Sequence, residues 1–153
     1  MTDQKWQLIP EMGIECGGAR IFFDQDRAAL NNLMANHGFL KAKTTYPDED
    51  DFLTTDESTF IRIRYSETNV KDIEFLCGKL QHQGIDLHSG TTFSKIKKEF
   101  KAKNLTFRET EWLGDGKDCP ELRINITTRE DVGGDGEEIE WVILSKGFNN
   151  HVV

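Results

Sequence analysis

Ile73-Glu74-Phe75 returns 66 residues later as Ile139-Glu140-Trp141, and this echo decides how the chain divides. At the same offset Leu30 and Met34 return as Ile96 and Phe100. Ala19 and Ile21 return as Ile85 and Leu87, and Gly38-Phe39 as Asn104-Leu105. The matches are of residue class, with few identities. They predict two similar units, residues 18–80 and 84–146, within one domain spanning residues 1–153.

Each unit reads as strand, helix and then three strands. In the first, Ala19 to Phe23 is an apolar run of strand length, and Asp24 is the expected N-cap. Leu30, Leu33 and Met34 form a helical face, and Gly38 supplies the left-handed residue that ends it. In the second, Thr91 or Thr92 caps, Phe93, Ile96 and Phe100 form the stripe, and Asn104 takes the stop position. Ile61, Ile63 and Tyr65 alternate with Arg62 and Arg64, as a half-buried strand does. Ile73, Phe75 and Cys77 follow the same rule, as do Leu122, Ile124 and Ile126, and then Ile139, Trp141 and Ile143. Leu105 to Leu113 is a further expected strand. Ahead of the first unit, Trp6 to Ile9 reads as an edge strand stopped by Pro10. The fold class is α+β: two tandem β-α-β-β-β units forming a mainly antiparallel sheet, with two helices packed on one face. Leu30, Ile63, Phe75, Ile96, Ile124 and Trp141 are the expected core.

Composition narrows the function classes. The chain is 37% hydrophobic and 30% charged, with a net charge of −8. Nucleic acid and anionic membrane both repel such a surface, so neither is expected as a partner. No apolar run has signal-peptide or membrane-spanning length, and a cytoplasmic protein is expected. Cys16, Cys77 and Cys119 are odd in number and widely spaced, which is no disulfide framework. Cys77 is expected in the core and Cys119 in an exposed loop. His37, His82, His88 and His151 make no ligand pair, so no metal and no cofactor is expected, and no enzyme.

Acidic loops carry the interaction chemistry. The polar stretch Tyr46 to Ser58 holds Asp48, Glu49, Asp50 and Asp51, then Asp56 and Glu57. It is expected to be a mobile loop that steers a basic protein. Residues 130–138, with Asp131, Asp135 and Glu137 among glycines, read as an irregular hairpin. Trp112 and the loop holding Asp115 and Asp118 supply an expected anchor and rim, since tryptophan is enriched at binding hot spots. Lys95, Lys97, Lys98, Lys101 and Lys103 occupy the solvated faces of the second helix. Arg62, Arg64, Glu74, Arg123 and Glu140 are expected on the sheet face opposite the core, where cross-strand pairs form.

The duplicated plan across residues 13–146 resembles the beta-lactamase inhibitory protein family, in which two similar units form a concave protein-binding sheet. It departs from that family in having one helix per unit. In size and acidity the chain is also similar to the small immunity proteins of bacterial toxin systems, such as contact-dependent growth inhibition. That resemblance implies a protein-binding inhibitor that occludes a cognate, basic, nuclease-type toxin domain. Two other readings are a small enzyme or ligand-binding protein with a pocket between the units, and an assembly adaptor.

Overall fold

A computed structural model describes residues 5–109 and 116–146. The chain runs β1 (Lys5–Ile9), β2 (Gly13–Cys16), β3 (Ala19–Phe22), α1 (Arg27–Asn36), β4 (Phe39–Ala42), β5 (Glu49–Thr54), β6 (Phe60–Ser66) and β7 (Asn69–Cys77). It continues β8 (Lys79–His82), β9 (Ile85–Asp86), α2 (Phe93–Lys101), β10 (Arg108–Glu109), β11 (Lys117–Cys119), β12 (Ile124–Thr128) and β13 (Ile139–Ser145). The class is α+β, as expected, but there are two sheets where one was expected. Five strands order as β3-β2-β1-β8-β9, and eight as β10-β11-β12-β13-β7-β6-β5-β4. All pairings are antiparallel except β1 with β8. Residues 19–77 run β-α-β-β-β-β, and residues 85–145 run in the same order, one strand more than the sequence pattern places in each. Four strands from each span build the large sheet, meeting along β7·β13.

Local chemistry explains both helices. Asp26, rather than Asp24, caps α1, accepting from the Ala28 and Ala29 amides. Asp24 instead sits at φ 71°, in the turn before the helix. Gly38 follows α1 at φ 85°, and Asn104 follows α2 at φ 62°, the left-handed positions that stop each helix. Thr92 caps α2 by accepting from the Lys95 amide. Leu30 and Met34, and then Phe93, Ile96 and Phe100, are buried.

One apolar cluster joins the small sheet (Trp6, Leu8, Ile14, Ile21), both helices and one face of the large sheet (Ile61, Ile63, Ile73, Phe75, Ile124, Ile126, Val142, Leu144). The large sheet thus has an inner face on the core and an outer face turned away from the helices and the small sheet. β1 is central in the small sheet, not an edge, because Trp6 and Leu8 face the core and β8 lies alongside.

Three register shifts break the simple alternation; one leaves Lys71 of β7 extra, since Arg64 pairs with Asp72 and Tyr65 with Val70. On β7, Phe60 pairs with Cys77 and Ile61 with Phe75, so Leu76 is the extra residue and Cys77 turns outward, exposed. On β13, Thr127 pairs with Trp141 and Thr128 with Ile139, so Glu140 is extra. The phase then flips: Val142 and Leu144 enter the core, while Trp141 and Ile143 go to the outer face, only partly buried. This corrects the expectation that Trp141 is a core residue; Leu30, Ile63, Phe75, Ile96 and Ile124 are buried as expected. Cys119, expected in an exposed loop, is fully buried in β11 beside Ile124. Arg123 precedes β12 in left-handed backbone, φ 57°, and is not a strand residue. Of the expected strand Leu105 to Leu113, only Arg108–Glu109 is a strand among the described residues.

Candidate functional site

The outer face is built in rows that the strand register fixes. One row runs Leu40, Leu53, Phe60 across β4, β5 and β6. The next runs Ala42, Asp51, Arg62, Glu74, Ile143, Asn125 and Asp118, from β4 to β11. A third holds Glu49, Arg64, Asp72 and Ser145.

The middle rows are a lattice of ion pairs. Arg62 donates to both Asp51 oxygens, at 2.8 and 3.1 Å. Arg64 lies 2.9 Å from Glu74 and 3.6 Å from Glu49. The carboxylates sit deep and the guanidiniums cover them: Glu49 and Asp51 are buried, while the Arg64 side chain is 45% exposed. Burial pushes the Glu74 carboxyl up, against the pull of Arg64 and Arg62. Arg62 and Arg64 thus take the places read from sequence.

On the inner face of β5, Asp50 is buried against α1. It accepts from Arg27 at 2.8 and 3.0 Å, from the Asn31 amide at 2.9 Å and from the Tyr65 hydroxyl at 2.8 Å. Burial raises its pKa, but these hydrogen bonds outweigh burial and hold it at about 2. Tyr65 is pushed up, by burial first and then by Asp50. Glu49, Asp50 and Asp51 are therefore strand residues with partners, not part of a mobile loop. Asp48 alone of that run is exposed, at the start of β5.

Asp118, expected on a rim, is fully buried; one oxygen accepts from Asn125 at 2.7 Å, and its other oxygen has no hydrogen bond among the described residues. Burial raises its pKa. Trp112 and Asp115 lie outside the described residues.

The remaining acids converge. Because β5, β7 and β12 point the same way, the turn after β5, the end of β7 and the turn after β12 share one end of the large sheet. The centres of those two turns stand three strand spacings apart, about 14 Å. Residues 129–140 carry six carboxylates and one arginine, and the 55–59 turn adds Asp56 and Glu57. Some of these acids shape their turns. Asp56 accepts from the Ser58 amide and hydroxyl and the Thr54 hydroxyl, which lowers its pKa. Asp131 accepts from Thr128 and from Lys117 at 2.7 Å, and these bonds outweigh burial and lower its pKa too. Glu137 accepts from the Ser94 hydroxyl on α2. Glu57 and Asp135 are exposed at the tips. Between the turns the outer face presents Leu53, Phe60, Leu76 and Trp141, all partly buried. Local pattern did not mark this apolar group, because the bulges that place it depend on strand partners.

A pocket of about 310 Å³ lies on the inner side of β11, lined by Phe93, Lys97, Phe107, Arg108, Lys117, Glu130 and Glu137. It falls within the second span; a second pocket, about 440 Å³, is lined by Asp24, Ser66, Glu67, Asn69, Val70 and Lys71 of the first span and by Lys146 of the second. Among the described residues no three His, Cys, Asp or Glu side chains gather as metal ligands, and no helix is long and apolar enough to cross a membrane. No family model matches the chain, and neither a curated protein nor a solved structure matches it.

Proposed function

We propose that this chain is a protein-binding inhibitor, an immunity protein that neutralises a cognate basic toxin by covering its active site. The observation that supports this reading is the shared end of the large sheet, where two acidic turns flank an apolar group on the outer face. The acids speed encounter with a basic enzyme, and the apolar side chains hold it once desolvated. The chain acts by occlusion, with no cofactor and no chemistry of its own, in the cytoplasm where the toxin would act. The residues placed in this role are Glu57 and Asp135 at the tips, on turns that Asp56, Asp131 and Glu137 shape; Glu49, Asp50, Asp51 and Asp118 are committed to the fold.

The gene immediately upstream supplies the test. Its product, expressed alone, should arrest growth, and co-expression with this chain should restore growth through a one-to-one complex. Persistent arrest at matched expression would end the immunity reading.

A further inference from the structure

We infer that the outer face of the large sheet, at its acidic end, docks a cationic segment of a partner protein with Trp141 as the anchor. This rests on the protein-binding reading above and names the surface and the chemistry it selects.

Trp141 carries the inference. Plain alternation from Ile139 would bury it. The extra residue Glu140 rotates it onto the outer face instead, opposite Thr127. Bulges commonly re-aim a side chain at functional surfaces. The same phase change leaves Ile143 outward, next to Glu74. Further along, Leu40, Leu53 and Phe60 continue an apolar row to the sheet edge, where Leu40 is 58% exposed. The β11–β12 part of this face is covered, with Asp118, Asn125 and Thr127 buried, but from Trp141 to Leu40 it is partly open, and large apolar side chains gathered on an open surface mark interaction sites more often than solitary ones do.

Charge decides the occupant. The Arg62 and Arg64 guanidiniums are paired with Asp51, Glu49 and Glu74, so each cation in the middle of the face is already engaged. At the end near Trp141 acids predominate: Glu57 lies on one side, and Asp135, Glu138 and Glu140 on the other, where Arg129 pairs with Glu138 and Glu140. A second copy would bring the same acids against these, and nucleic acid would bring phosphates. Lysine or arginine side chains meet both features, because carboxylates attract them and an indole face binds cations best among the aromatics.

The probe is a phage-displayed library of random linear peptides about twelve residues long, selected on the immobilised full chain. Selected peptides, made synthetically, should carry lysine or arginine beside an apolar residue. They should bind Trp141→Ala at least about tenfold more weakly than wild type, the scale of a hot-spot truncation. Should Trp141→Ala not fold, Glu57→Lys with Asp135→Lys changes only exposed tips and should also abolish binding. Absence of enrichment, acidic or uncharged winners, or equal binding to both variants would overturn the assignment. So would a wild-type dimer in sedimentation that Trp141→Ala dissolves, which would make the face a contact between copies. Should cationic peptides need Trp141 while the chain fails to restore growth against the upstream gene product, the surface stands and the immunity reading falls.

Discussion

Asp50 on β5 accepts two hydrogen bonds from Arg27 in the first turn of α1, and this pair fastens the helix to the large sheet. The Arg27 guanidinium also lies 4.6 Å from the centre of the Tyr65 ring, whose hydroxyl donates to the same carboxylate. Removing one member of a buried pair strands the other. Asp50→Ala should therefore cost about 3 kcal/mol, as broken buried ion pairs do. Urea unfolding followed by circular dichroism measures it. A cost near that of a surface change, about 0.5 kcal/mol or less, would place Asp50 in solvent.

The same carboxylate sets an acid limit on stability. Its folded pKa of about 2 lies below the value of about 3.9 for an unfolded aspartate. A depressed carboxylate stabilises the fold above the unfolded value, and that contribution is lost as pH falls from there through the folded value. The gap corresponds to about 2–3 kcal/mol. Between pH 5 and pH 2 the stability difference between wild type and Asp50→Asn should shrink by about 2 kcal/mol, the remainder being lost below pH 2. A difference independent of pH would assign the stabilisation to packing alone.

How far the sequence reaches is visible in these residues. Helix periodicity and stop residues are local, so α1 and α2 could be read directly, with the cap misplaced by two positions. Asp48 to Asp51 read as a loop because aspartate disfavours strands and four acids in a row look solvated. Their burial depends on Arg27, Arg62 and Arg64, which lie elsewhere in the chain, and no local pattern announces such partners. The central place of β1 depends likewise on β8, paired Trp6 to Leu80. Leu76 and Glu140 each shift a strand by one residue, and one residue is enough to exchange the faces. Plain alternation therefore predicts Cys77 and Trp141 inward, and the bulges turn both outward.

The bulge on β13 makes a stability prediction. Ile124 is fully buried, so Ile124→Ala should cost about 2–5 kcal/mol. Trp141, larger but on the outer face, should cost less than about 2 kcal/mol when replaced by alanine, below the range of about 3–5 for a buried tryptophan. Denaturant midpoints of the two variants at one pH decide the order. A larger loss at Trp141 would put the indole in the core and remove the bulge.

The thiols separate by the same geometry. Cys77 is exposed, with its sulfur 3.6 Å from the Ser58 carbonyl oxygen. Cys119 is buried, and burial, then Glu121, pushes its thiol up to about 12. Thiolate, not thiol, is the nucleophile, so burial and the raised pKa both protect Cys119, while access favours Cys77. Iodoacetamide on the folded protein should label Cys77 first and leave Cys119 unmodified until denaturant is added, as peptide mass spectrometry would record. Early labelling of Cys119 would mean that β11 opens readily.

Two sets of acids should behave oppositely when neutralised. Changing Asp48, Glu49, Asp50 and Asp51 together to their amides should unfold the protein or lower its midpoint sharply, because three of the four are buried beneath cations. Changing Glu57 and Asp135 to amides should leave the midpoint within about 0.5 kcal/mol, as exposed substitutions usually do. It should nonetheless slow association with a basic partner and flatten the dependence of that rate on ionic strength, because rim charges act on encounter. Stopped-flow association with the upstream gene product, at several salt concentrations, measures both quantities. Unchanged rates and salt slopes would show that the acidic end does not face the partner, and would move the search to the paired arginines at the middle of the face.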